Sequence, residues 1–379
     1  MTHVLKAAQI FDGWRLLPGG AVSLTKDGRI GAVYPEPRDL PADAVVVDLG
    51  AGILAPGLVD LQVNGGGAEM IGAQSDADQI ARICAVQARL GATAILPTLI
   101  TDTPEVTRQV IDAAITADAR GCPGLAGLHL EGPHLDPARK GAHDGALIRP
   151  MTAEDQAMLC DAAQMLPALM LTVAPESVTL AQIAALAGAG VIVSLGHTGC
   201  STEAARAAQA AGARCVTHLY NAMPPLQNRA PGLVGHALSS DICAGIIADG
   251  VHVAPEPLQI ALAMKGPDRL FLVSDCMAVA GTDQPEFTLN GRRILRRNGR
   301  LELPDGTLAG ADISLVQSLA RLVGAGVDPA RALAMATRIP ADLIGASGRG
   351  RIVPGCVADL VVLDDAYQLQ RVYLAGVAQ

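Results

Sequence analysis

The sequence predicts an α/β protein: a (β/α)8 TIM-like barrel with a small β-sandwich domain formed from both chain ends. Three observations predict it. Eight short runs between residues 57 and 275 (GLVDLQVN, ATAILPTLI, LAGLHLEGPH, ALMLTVAPE, VIVSLGHTG, RCVTHLYNAM, CAGIIADGVH and RLFLVSDCM) are rich in Leu or β-branched residues, the composition of buried strands. Most of the gaps between them hold Ala-rich stretches with helical periodicity. All of the runs except ATAILPTLI also carry a polar or chargeable residue at or near the C-terminal end. A barrel brings the C-terminal ends of its strands together on one face, where active sites are built. Gln62, Glu131, His197, His218, His252 and Asp275, far apart in sequence, are therefore expected to be neighbours.

Residues 1–56 have another texture, with the short runs VLKAAQIFDG, AVSLTKDGRIGAVYP and AVVVDLGAGILAPG. The Asp-Gly of KDGR between apolar runs predicts a hairpin. The barrel is expected over residues 57–345. Late in it lies an insertion, FTLNGRRILRRNGRLELPDGTLAG, with Asn-Gly turns. Its arginines Arg292, Arg293, Arg296, Arg297 and Arg300 read as a solvated hairpin face in preference to a basic patch. The C-terminal segment GRIVPGCVADLVVLDDAYQLQRVYLAGVAQ again gives short strands. Residues 1–56 and 346–379 are thus expected to share the sandwich. No repeat beyond the βα rhythm is evident.

With 379 residues the chain can bury a large core, and its net charge of −9 argues against a general nucleic-acid binder. No segment has the apolar length of a membrane span and the start, MTHVLKAAQIFDG, lacks a signal-peptide core, so a cytoplasmic location is expected. Cysteines at 84, 122, 160, 200, 215, 243, 276 and 356 form no CxxC pair. They read as reduced, mostly buried residues.

Imidazole and carboxylate suit borderline divalent metals, and a catalytic site commonly takes three protein ligands. Glu131, His197 and His218 supply one carboxylate and two imidazoles from the third, fifth and sixth runs. A lone strand-end histidine is more often a hydrogen-bonded structural residue; three chemically matched residues at corresponding strand ends point to a metal that lowers the pKa of bound water to about 7. Glycines beside Glu131 (EGP) and His197 (LGHTG) fit close turns at a crowded site. Asp275 ends the eighth run. An N-cap or turn aspartate is the bland alternative, but its place opposite the ligand cluster favours a base that takes a proton from water and passes it to a leaving group.

The segments APGLVDLQVNG, GLHLEGPHL, KGAH, SLGHT, VTHLYNAMPPLQNRAPG, GIIADGVHV, LVSD and GTLAG, in that order, resemble the N-acetylglucosamine-6-phosphate deacetylases of the amidohydrolase superfamily over nearly the whole chain. The resemblance implies a barrel with a β-sandwich, a divalent metal, a homodimer, and hydrolysis of the acetamide to glucosamine 6-phosphate and acetate. It implies metal ligands Glu131, His197 and His218 and an acid/base Asp275. Further implied substrate contacts are Ala142 and His143, with His143 beside the reacting amide, Asn221, Ala222, His252, and Leu308, Ala309 and Gly310. Arg229 is implied to contact phosphate, in keeping with the forked geometry of guanidinium, and in dimeric relatives Arg229 and His252 serve the neighbouring subunit's site.

Many superfamily members carry HxH at the end of strand one, where this chain has Gln62 and Asn64. Neutral amides are poor metal ligands, so one metal per chain is expected, Zn²⁺ with Fe²⁺ as the alternative, and Gln62 is implied to hold a metal-bound water. His3, His129, His134 and His236 are assigned structural roles. The alternative readings are deacetylation of the galactosamine epimer and, in a different class, a non-catalytic amidohydrolase-like binding protein.

Overall fold

The computed structural model describes residues 2–36 and 39–379. Eight parallel strands form one sheet: β1 (Leu58–Val63), β2 (Ala92–Ile100), β3 (Leu128–Glu131), β4 (Leu169–Val173), β5 (Ile192–Leu195), β6 (Cys215–Val216), β7 (Cys243–Ile246) and β8 (Leu270–Leu272). They neighbour one another in sequence order. A parallel bridge between Val63 and Cys276 joins the exit of β8 back to β1, and the Asp275 N–H donates to the Gln62 carbonyl at 3.0 Å across that seam. All residues of the eight strands are buried. Burial on both faces explains why the runs are continuously apolar and do not alternate.

Seven helices follow in the gaps: Ala77–Arg89, Pro104–Ala119, Ala153–Met165, Leu180–Gly188, Thr202–Ala210, Gly232–Ser239 and Pro255–Met264. Their starts are locally encoded. Thr152 with Asp155 and Thr179 with Gln182 form reciprocal capping boxes, each satisfying amide groups that a helix start leaves open. The sixth strand is shorter than its run suggests. His218, Tyr220 and Ala222 take φ of 30°, 80° and 53°, which bends the chain out of extended geometry directly after Val216.

Polar side chains also line the barrel interior. Thr172 Oγ1 lies 2.8 Å from His129 Nε2 and 2.7 Å from Thr217 Oγ1, which is 2.6 Å from Ser194 Oγ. Burial pushes His129 down to about 4, so it is a neutral, hydrogen-bonded core residue, in keeping with the structural role expected of it.

The described chain divides into two compact units, Leu61–Val86 with Ile95–Ile313, and Met1–Asp60 with Gln87–Ala94 and Ser314–Gln379. In the second unit, a four-stranded sheet has the order Ile30–Tyr34, Ala21–Leu24, Thr2–Lys6, Ala44–Asp48; a six-stranded sheet pairs the C-terminal strand Leu360–Leu363 with Ile53–Pro56. Leu5, Val22 and Ile30 share one apolar cluster with Ile10, Leu54, Leu360 and Val362, so side chains from both chain ends build one core. The KDGR hairpin forms between Ala21–Leu24 and Ile30–Tyr34. The same unit contains the helices Leu315–Gly324, Pro329–Ala336 and Arg338–Leu343.

In the barrel unit, the insertion forms an antiparallel sheet of Glu286–Leu289, Arg292–Arg297, Arg300–Glu302 and Leu308–Ala311. Asn290 and Gly291 (φ 48° and 74°) and Asn298 and Gly299 (φ 51° and 72°) make its turns. Positive φ at both central residues is what a two-residue hairpin requires and what Asn-Gly tolerates. Its arginines are not a uniform basic patch. Arg293 pairs with Glu286, Arg296 with Asp312, and Arg292 donates to the Ala142 carbonyl. The eight cysteines are free thiols, all buried except the half-buried Cys122 and Cys160.

Candidate metal centre and active site

The strand ends deliver their polar residues to one cleft of about 690 Å³. Glu131 is the last residue of β3, His197 and His218 lie two residues beyond β5 and β6, and Asp275 lies three beyond β8. His197, His218 and Asp275 have φ of 48°, 30° and 50°, a left-handed conformation that is uncommon away from glycine. The surrounding chain holds three chemistry-bearing residues against their backbone preference, a cost that tends to concentrate at functional sites.

Three donor atoms converge. Glu131 Oε1 is 3.0 Å from His218 Nε2 and 3.3 Å from His197 Nε2, and the two imidazole nitrogens are 3.1 Å apart. Tetrahedral Zn²⁺ with ligands at 2.0–2.1 Å separates its donors by about 3.3 Å, so this trio fits one small divalent ion. His197 Nδ1 is 2.8 Å from the Arg139 carbonyl. That contact fixes the proton on Nδ1 and leaves Nε2 as a lone-pair donor, the usual second partner of a metal-binding imidazole.

Glu131, His143 and His197 also offer buried donor atoms within 4.8 Å of one another. The hydrogen bonding of His143 argues against its serving as a ligand. The Thr101 backbone N–H donates to His143 Nδ1 at 3.2 Å, so Nδ1 is an acceptor and the neutral ring carries its proton on Nε2. Burial, then the neighbouring His197, push His143 down to about 3. It therefore presents a neutral Nε2–H donor, 3.8 Å from Glu131 Oε2.

Charge in the pocket is distributed unevenly. Burial alone would raise the Glu131 carboxyl, but the neighbouring His197 and His218 outweigh it and hold the group well below its ordinary value. Burial alone would lower His218, and the Glu131 hydrogen bond raises it instead. Burial and then the charge of Glu131 push Asp275 up to about 6, near the range in which a carboxyl can both accept and return a proton at neutral pH. Gln62 Nε2 donates to Glu131 Oε1 at 3.0 Å and to Asp275 Oδ1 at 3.2 Å. Asn64 Nδ2 donates to the same Asp275 oxygen at 2.7 Å.

Of the other expected site residues, Ala142, His143, Asn221, Ala222, His252, Leu308 and Gly310 line the cleft. His252 Nδ1 is held 2.6 Å from Asp249 Oδ2. Ala309 is buried and is not among the lining residues. Arg229 stands on an exposed loop and is not among the lining residues. Two supporting residues were not anticipated. Thr101 fixes the tautomer of His143, and Glu176 accepts from Thr198 Oγ1 at 2.6 Å and from the Gly199 N–H at 3.0 Å, tying down the turn that follows His197. Both end apolar runs, in ATAILPTLIT and ALMLTVAPE, and that position was the available signal.

The chain is similar to several known proteins. The amidohydrolase family model matches residues 53–378. An N-acetylgalactosamine-6-phosphate deacetylase of Shewanella sp. (strain ANA-3) is 39% identical over 339 residues, 88% of this chain and 85% of its own. An N-acetylglucosamine-6-phosphate deacetylase of Haemophilus influenzae is 34% identical over 345 residues, 90% of each chain. The crystal structure of N-acetylglucosamine-6-phosphate deacetylase from Pasteurella multocida superposes with a TM-score of 0.95 at 32% identity, covering 100% of both chains. With its parallel barrel and its buried Glu-His-His cluster, this chain belongs to the amidohydrolase family.

Proposed function

We propose that the chain hydrolyses N-acetyl-D-glucosamine 6-phosphate to D-glucosamine 6-phosphate and acetate. The observation that carries this reading is the convergence of Glu131, His197 and His218 donors within 3.3 Å, in the same cleft as Asp275. A divalent ion held by that trio, Zn²⁺ with Fe²⁺ as the alternative, supplies Lewis acidity when bound.

In this reading Asp275 takes the proton of the attacking water and returns it to the amine nitrogen as the C–N bond breaks. The Gln62 amide, hydrogen-bonded to both Glu131 and Asp275, orients that water. His143 offers its Nε2–H to the acetyl oxygen as negative charge develops there. Ala142, Asn221, Ala222, His252 and the Leu308–Gly310 backbone hold the sugar. Arg229 takes the phosphate, and its exposed loop suits service to a neighbouring copy's cleft in a homodimer. The barrel, residues 57–345, is the catalytic domain, residues 1–56 and 346–379 are the sandwich domain, and the enzyme is cytoplasmic.

The Shewanella relative, with its galactosamine name at 39% identity, favours a second reading in which the 4-epimer is the substrate. Acetate release from the two phosphorylated epimers, measured side by side, separates them. A kcat/KM at least about tenfold higher for the glucosamine substrate is expected, a ratio within reach of one hydroxyl's hydrogen bonding. The reverse preference selects the second reading, and no acetate from either sinks both.

A further inference from the structure

Asn64 occupies the seam between the first and last barrel strands. Its backbone N–H donates to the Cys276 carbonyl at 2.9 Å and its carbonyl accepts from the Ile71 N–H at 2.9 Å, so strand register fixes the residue against Asp275. Its side chain is buried, at 1% exposure. The carboxamide Nδ2 donates to Asp275 Oδ1 at 2.7 Å, and Gln62 Nε2 adds a second donor to the same oxygen at 3.2 Å.

Two amide donors on one carboxylate oxygen fix the rotation of the whole group. They also make its two oxygens unequal. Oδ1 is committed to neutral groups that exchange no proton at neutral pH, and Oδ2 is left to take and return one. We propose that Asn64 is a positioning residue, whose carboxamide, together with that of Gln62, clamps Oδ1 of Asp275 so that Oδ2 faces the reacting amide. Asn64 acts only through Asp275 and need not touch the substrate. This role rests on the acid/base assignment of Asp275 in the proposed reaction.

The consequence is energetic coupling, since residues that share one interaction give non-additive losses. The test is a double-mutant cycle of Asn64→Ala and Asp275→Asn in the metal-loaded full chain, with kcat and KM for acetate release, metal content and thermal midpoint read for each protein. Asn64→Ala is expected to lower kcat by about 10- to 100-fold, the scale of a misplaced acid/base, while KM stays within about threefold. Metal content should be unchanged. In the Asp275→Asn background, removing Asn64 should cost less than about threefold more. If Asn64→Ala protein does not fold, Asn64→Ser replaces it in the same cycle, with the same coupling expected.

Equal losses in both backgrounds, or a kcat loss matched by lost metal, would overturn the role and leave Asn64 as a packing residue. Absence of turnover in the unmutated protein is a separate outcome. It would sink the proposed reaction itself, and this role with it.

Discussion

Thr101 donates its backbone N–H to His143 Nδ1 at 3.2 Å, and the Arg139 carbonyl faces His197 Nδ1 at 2.8 Å. These two main-chain groups give chemically identical imidazoles opposite roles, a proton donor in one case and a lone-pair donor in the other. Neither contact is legible in the sequence, because both depend on loops whose course is set by the barrel and not by local residue type. Glu131, His197 and His218 were legible because each closes an apolar run. The resemblance supplied His143 and Asn221, which sequence pattern alone did not single out. The ion pair of Glu131 with His218 makes a pH prediction. His218 is held above its ordinary value by the Glu131 hydrogen bond, so in metal-free protein it keeps its proton to higher pH than a free imidazole and must release it to become a ligand. Metal affinity should therefore rise with pH through the ordinary imidazole range and above it, with proton release detectable by calorimetry in buffers of different ionisation enthalpy. An affinity flat across that window, with no proton released, would show that His218 is already neutral.

At the scale of elements, continuous apolar runs, Asn-Gly pairs and capping residues mark strands, turns and helix starts, because each answers a local physical need. The shortness of β6 was not legible, since positive φ at His218, Tyr220 and Ala222 is imposed by the site on residues that do not prefer it. Nor was the partner of Lys265. This buried lysine donates from Nζ to the carbonyls of Ala237 at 2.6 Å, Ser240 at 2.9 Å and Ile242 at 2.5 Å, binding the C-terminal end of the helix Gly232–Ser239 to the start of β7. Lys265→Met would leave these acceptors without their charged donor. A stability loss of about 2 to 4 kcal/mol is expected from urea unfolding, since hydrogen bonds to a charged group count for about 1.5 to 3 each and buried unpaired carbonyls add to the cost. A change below about 0.5 kcal/mol, the range of an ordinary surface substitution, would show that the neighbouring backbone finds other partners.

For the molecule as a whole, the order and polarity of the eight runs identified a barrel, and the family match over residues 53–378 bears out that fold. Where the polar ends meet was legible for the same reason, because closure of a parallel barrel gathers all strand ends on one face. The choice of epimer was not legible. It turns on one hydroxyl of a substrate, and residues from several loops, among them Asn221, His252 and Leu308, share the cleft that receives it. The number of metal ions is a sharper question, because Gln62 and Asn64 spend their amides on Glu131 and Asp275 and neither is a good ligand. The decisive measurement is a metal titration of chelator-treated protein followed by acetate release. Activity should rise linearly to one equivalent of Zn²⁺ or Fe²⁺ per chain and then stay level, with His197→Ala protein neither retaining the ion nor gaining activity. Turnover that survives complete metal removal, or that needs a second tightly held equivalent, would contradict the account.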